Sequence, residues 1–134
     1  MSEYIKQTTS INDLSCLLQA LAAKGYGEVE NHETAQSLVG YHGDIRPEKA
    51  EVIIRRKFVG GSSNDLGFKK DAKGNYEFIV SQFDKGKHNQ KWFDDLKTEY
   101  AILKAKKIAK SKGYELLQTK QKDNKTVLTF KVQA

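Results

Sequence analysis

The chain of 134 residues carries a net charge of +6 and is 38% hydrophobic, with six Phe, six Tyr and one Trp; this suits one domain (1–134) that buries a core unaided, and excludes a wholly disordered chain. Its one cysteine, Cys16, excludes an internal disulfide and a cysteine-based zinc site, and no run of 18 apolar residues exists to make a membrane-spanning helix. The charge is lopsided, with 10 Lys/Arg against 12 Asp/Glu in residues 1–84 and 13 Lys against 5 Asp/Glu in residues 85–134, so the basic excess is lysine at the C-terminal end, an arrangement that draws polyanions or covers a solvated helix face.

Residues 3–9 (EYIKQTT) alternate and carry β-branched and aromatic side chains, which predicts a strand. A helix follows, with Asn12 as N-cap, Asp13 beside its positive end, and Leu14, Leu17, Leu18 and Leu21 forming one apolar stripe. Gly25 or Gly27 ends it. The polar stretch 28–35 reads as a loop or frayed strand, and residues 37–42 (SLVGYH) as a strand. Pro47 makes the next connection non-helical at Arg46. Residues 50–58 (AEVIIRRKF) predict the strongest strand, and GGSSN (60–64) a flexible turn in which Gly60 and Gly61 permit positive φ. Residues 65–70 and 75–83 form a hairpin across DAKG, with Tyr76, Phe78 and Val80 on one face and Ile79 on the other. After a polar connector at 84–90, a second long helix spans about 91–112 and ends at Gly113; Trp92, Leu96, Tyr100 and Leu103 make its stripe, drifting towards Ala105, Ile108 and Ala109. Two alternating segments around KDNK, with Asn124 at the tip, predict a closing hairpin.

The resulting order, β-α-β-β-β-β-α-β-β, implies an α+β, two-layer sandwich: a largely antiparallel sheet of about seven short strands with two helices on one face. The N-terminal MSEYIKQTTS lacks the apolar core of a signal peptide, so a cytoplasmic protein, or an organellar one made in place, is expected.

The ordered series LAAKGY, VGYHG, AEVIIRR, NDLGFKK, YEFIV, EYA and KSKGY resembles the DUF1257 family across nearly the whole chain. Members of that family occur as plastid reading frames and in bacteria, so the resemblance allows a plastid stroma for an organelle-encoded member. The family usually shows Gly-Tyr-Arg-Gly where this chain has Gly40-Tyr41-His42-Gly43, and Asp-Ile-Gly-Phe where it has Asp65-Leu66-Gly67-Phe68. The first difference replaces a fixed cation by a group mostly neutral at pH 7. The family has no settled activity, so the resemblance implies an architecture and no mechanism.

The spacings that chemistry requires are missing. His32, His42 and His88 fall in separate segments without metal-ligand spacing and read as exposed or turn histidines. Cys16 lies beside the leucine stripe, where a thiol packs as a small apolar group. Ser62 and Ser63 have no nucleophile elbow around them, and GGSSNDLG matches no phosphate-binding fingerprint. Asp94 and Asp95 are assigned to the first turn of the second helix, where a carboxylate complements the helix dipole. Two groups remain. Tyr41, His42, Asp44 and Arg46 form a glycine-flanked turn that, beside Asp65 and Lys69, would make a charged ligand pocket at a sheet edge. Lys97, Tyr100, Lys104, Lys107 and Lys110 would contact the phosphates and bases of RNA or DNA. The expectation is a non-enzymatic binding or accessory module with a protein partner, no cofactor, no metal and no membrane, and with nucleic acid or another polyanion as the alternative ligand. Nothing in the residues selects an oligomeric state.

Overall fold

The computed structural model describes residues 3–123 and 125–132. Among them run β1 (Tyr4–Gln7), α1 (Leu14–Ala23), β2 (Glu30–Val39), β3 (Ile45–Ile54), α2 (Arg56–Val59), β4 (Leu66–Lys70), β5 (Tyr76–Ser81), α3 (Gln90–Ser111), β6 (Glu115–Lys122) and β7 (Lys125–Lys131), with a single 3₁₀ turn at Asp84–Gly86. The fold is α+β, every strand pairing is antiparallel, and the order of the long elements follows the sequence reading. Asn124, expected at the tip of the last turn, lies outside the described residues.

The seven strands divide between two sheets. Five make one sheet in the order β1-β5-β4-β3-β2, and β6 and β7 form a separate ribbon. Only Lys112, Gly113 and Tyr114 connect α3 to β6, a short link that keeps the ribbon beside the helix.

One face of the five-stranded sheet carries Val52, Ile54, Phe68, Phe78 and Val80 into a core closed by α1 and α3. Phe78 is its centre, stacked on Phe68 with ring centroids 5.1 Å apart and on Phe93 at 4.8 Å. Helix α1 buries Cys16, Leu17, Ala20 and Leu21. In α3 the fully buried aromatic is Phe93, whereas Trp92 packs at the margin against Tyr26 and His88, and Ile108 is exposed. The helix starts at Gln90, one residue earlier than expected, and Phe93 faces inward against Phe78.

The other face holds a smaller cluster of Leu38, Ala50, Ile53 and Ile79, with Tyr4 against it. The β2–β3 hairpin reaches it through two register shifts that bend the paired strands. Gly67 makes room: a Cβ there would lie 2.8 Å from Ala50 Cβ and 3.1 Å from Leu38 Cδ2.

Several local expectations are revised. Helix α1 is capped by Asp13, whose Oδ1 accepts from Cys16 N; Asn12 lies one residue too early. Residues 30–35 belong to β2, an edge strand whose open side tolerates polar residues. Residues 45–49 are also strand and include Pro47, which sits where β3 lacks its β4 neighbour and its β2 pairing is irregular. The strand expected over 50–58 stops at Ile54, because Arg56–Val59 turn into α2. Gly60 is extended and neither it nor Gly61 uses the left-handed region.

Candidate functional site

The predicted polar cluster forms around the start of β4. Asp65 is 1% exposed and its oxygens are fully claimed: Oδ2 accepts from Val39 N at 2.7 Å and Arg55 Nη1 at 2.9 Å, and Oδ1 accepts from Arg56 N at 2.7 Å. Its backbone extends the network, since its N–H donates to Val39 O and its carbonyl accepts from the Tyr4 hydroxyl. Burial, reinforced by the Asp65 charge, pushes the Tyr4 hydroxyl well above its usual pKa and keeps it a donor. Asp65 is therefore a structural anchor that joins β1, β2, α2 and β4.

The rest of the cluster is partly assembled. Tyr41 N donates to Asn64 Oδ1, and Tyr41 O accepts from Arg56 Nη1. The rings of Tyr41 and His42 lie 3.8 Å apart, both residues on the exposed turn. Asp44 meets Arg46 at 3.5 Å, and Arg46 also approaches Glu48 and lies over the Tyr4 ring. Lys69 stands apart: it is exposed farther along β4, in register with Glu77, and among the described residues no ion pair joins it to the turn.

Sequence reasoning passed over the residues that shape the concavity beside this cluster. A groove of about 740 Å³ is lined by Val39, Arg55, Arg56, Lys57, Gly60, Gly61 and Asp65. Arg55 is neutralised twice, by Glu30 at 2.8 Å and by Asp65 at 2.9 Å. The paired guanidinium holds Glu30 down to about 2 and is itself raised, chiefly by Glu30. Arg56 and Lys57 have no acidic partner among the described residues. Three consecutive cations at the end of a hydrophobic strand were the available signal, obscured because their segment read as strand and their charges looked balanced.

The groove's far wall is held from behind. Asn64 donates through its backbone N and Nδ2 to Asp84 Oδ2, and through Nδ2 to Ser81 Oγ, which donates to Asp84 Oδ2 at 2.7 Å. Ser63, Asn64, Ser81 and Asp84 are all buried. The GGSSN segment is thus a turn, closed by Ser63 N donating to Gly60 O, that joins α2 to β4 and is anchored at its second half through Asn64.

The lysine-rich group has a different character. Tyr100 is buried, and its hydroxyl accepts from Asn12 N and Asp13 N, so its ring is not available to stack a base. Lys104 and Lys107 close on Asp13 at 3.0 and 2.7 Å, and Lys97 on Asp94 at 3.2 Å. The hydrogen bond from Lys107 leads the effects that hold the Asp13 carboxyl well below its ordinary range. Lys110 remains exposed. Asp94 and Asp95 fall in the second turn of α3, which Asn89 caps, and pair with Lys97 and Lys91.

The histidines do not converge, and among the described residues no three His, Cys, Asp or Glu side chains could hold one metal ion. His88, expected at the surface, is fully buried: Nε2 shares a 2.6 Å hydrogen bond with the Tyr26 hydroxyl, and the ring lies edge-on to Trp92. His32 pairs with Glu30. Cys16 packs in the core, and burial raises its thiol pKa. No helix among the described residues is long and apolar enough to cross a membrane.

Comparison with known families places residues 20–129 on the model of a family described as a protein of unknown function, DUF1257. No curated protein and no solved structure matches the chain.

Proposed function

The chain belongs to the DUF1257 family, and from its geometry we propose a non-enzymatic binding module that takes an anionic group of its partner, carboxylate or phosphate, into the groove beside α2. One observation carries this reading. Arg56 and Lys57 line a concave surface with no acidic partner among the described residues, while Asp65 within it has three donors of its own. Glu30 and Asp65 share the single charge of Arg55, so with Arg56 and Lys57 the groove keeps a net excess of one positive charge. The Asp65 oxygens are already engaged by three donors, so the groove favours binding an anion over acid–base chemistry.

Titrating the protein with inorganic phosphate and with acetate, followed by amide chemical shifts, tests this. Weak saturable shifts at Val39, Arg56 and Gly61 are expected, lost in the Arg56→Gln/Lys57→Gln double variant and kept in Lys106→Gln/Lys110→Gln. Equal shifts in both double variants would overturn the reading.

A second reading, nucleic acid at the lysine-rich end, draws support from β6 and β7. Lys122 and Lys125 are directly opposed across the ribbon, with Lys120 exposed two residues away. Opposed like charges destabilise a ribbon unless an anion bridges them. Retention on a single-stranded oligonucleotide column that collapses between low and moderate salt, and is lost in Lys120→Gln/Lys122→Gln/Lys125→Gln, is the expected result. Absence of retention at low salt would refute it.

A further inference from the structure

The groove's outer lip contains a glycine that the fold does not require. Gly43 and Gly74 have positive φ, and a Cβ on Gly60 would lie 2.7 Å from Ser63 Oγ. Gly61 has neither constraint: its φ is not left-handed, and a Cβ there would meet nothing within 4 Å. Yet Gly61 lines the groove. A bare backbone with room for a side chain suits a position where a ligand must come close to the main chain.

The same segment holds unclaimed donors. The N–H groups of Gly61 and Ser62 donate to nothing among the described residues, whereas those on either side are used, Gly60 N by Arg56 O and Ser63 N by Gly60 O. Directly after them the chain is anchored, Asn64 being tied to Ser81 and Asp84 in a buried network. A backbone amide beside cations is an established way to cradle an anion, and Gly61 lines the groove with Arg56 and Lys57. Val39 and the alkyl stems of Arg55, Arg56 and Lys57 supply apolar wall, and the volume falls within the range of small-molecule sites.

Resting on the anion-binding reading above, we infer that the groove's ligand is a small organic phosphate, its terminal oxygens taken by Arg56, Lys57 and the amide of Gly61, and its organic body laid against Val39 and the Arg and Lys stems. Arg56 and Lys57, which form no ion pair among the described residues, and the Gly61 amide offer more donors than a carboxylate's two oxygens use, and suit a phosphate's three terminal oxygens.

The probes are phenyl phosphate, benzoate and inorganic phosphate, measured by calorimetry on the full chain, with thermal unfolding recorded for every variant. Phenyl phosphate is expected to bind more tightly than either comparator. Gly61→Val is expected to weaken it by about tenfold or more, the scale of losing hydrogen bonds to a charged group, with the midpoint of unfolding unchanged; Gly61→Ala, the gentler variant, should fall between. If phenyl phosphate and benzoate bind alike, or Gly61→Ala and Gly61→Val bind phenyl phosphate as the parent does, the phosphate assignment is wrong and the anion groove stands. If no probe binds the parent, or Arg56→Gln/Lys57→Gln binds all three unchanged, the groove reading falls and this inference with it.

Discussion

At the scale of single residues, burial and saturation separate groups of the same type. Asp65 and Asp44 looked equivalent as members of one polar cluster, but Asp65 is enclosed with three donors while Asp44 stays partly exposed beside Arg46. His88 shows the thermodynamic side of enclosure. Burial lowers its pKa from 6.5 to about 4, and its Nδ1 has no hydrogen-bond partner among the described residues. The folded state keeps this ring neutral while the unfolded chain binds a proton first, so stability is complete above pH 6.5 and falls as pH drops towards 4. The shift corresponds to at most about 3 kcal/mol. Because Asp13 and Glu30 also lose their stabilising charge in acid, the check is a difference: chemical denaturation of the parent and of His88→Leu at pH 7 and pH 4. The parent should lose more stability than the variant over that interval, and equal losses would mean that the buried ring is not the acid-sensitive group.

At the scale of elements, the ends of helices are decided by backbone conformation. Gly25 has φ +99 and completes the end of α1, its N–H donating to Ala22 O while Tyr26 N reaches Leu21 O; Gly113 and Tyr114 repeat the pattern on α3. Gly27, two residues on, needs neither positive φ nor space. Gly25→Ala should therefore cost about 1–2 kcal/mol, the strain of an L-residue in the left-handed region, while Gly27→Ala should be neutral or slightly stabilising. Urea denaturation of the two variants distinguishes them, and equal effects would contradict this account of the helix end. The junction of α1 and α3 is similarly specific. Asp13 caps one helix and accepts Lys104 and Lys107 from the other, with the Tyr100 hydroxyl beneath it, so lysines that read as a nucleic-acid patch serve to seat two helices on each other.

At the scale of the whole molecule, the two sheets differ in support. Strands β4 and β5 are flanked on both sides within the five-stranded sheet and bury Leu66, Phe68, Phe78 and Ile79. Strand β6 is exposed along its whole length, and β7 turns only alternate residues inward, Leu128 and Phe130 among them, beside a cleft of about 550 Å³ against α3. A two-stranded ribbon is marginal by itself. Native-state hydrogen exchange should show amides of β4 and β5 exchanging through global unfolding and those of β6 and β7 through local opening with much lower protection. Equal protection in both sheets would mean that the ribbon is locked to α3 more firmly than its exposure implies.

The amino-acid sequence by itself determined the elements whose signal is local: the leucine stripe of α1, the long α3 with its glycine stop, the β4–β5 hairpin with Tyr76, Phe78 and Val80 on one face, and the antiparallel α+β class that follows from hairpin connections. It also marked Asp65 and the 41–46 turn as polar residues near one another. Only the tertiary structure decided that Asp65 is an internal anchor, that His88 is enclosed by Tyr26 and Trp92, that the final hairpin stands outside the main sheet, and that Arg56, Lys57 and Gly61 line one groove. Periodicity reports which side of an element is apolar, because that repeats every two or three to four residues. Which polar group finds a partner depends on contacts between distant positions of sequence, such as Arg55 with Glu30, 25 apart, or Lys107 with Asp13, 94 apart, and no local pattern encodes those pairings.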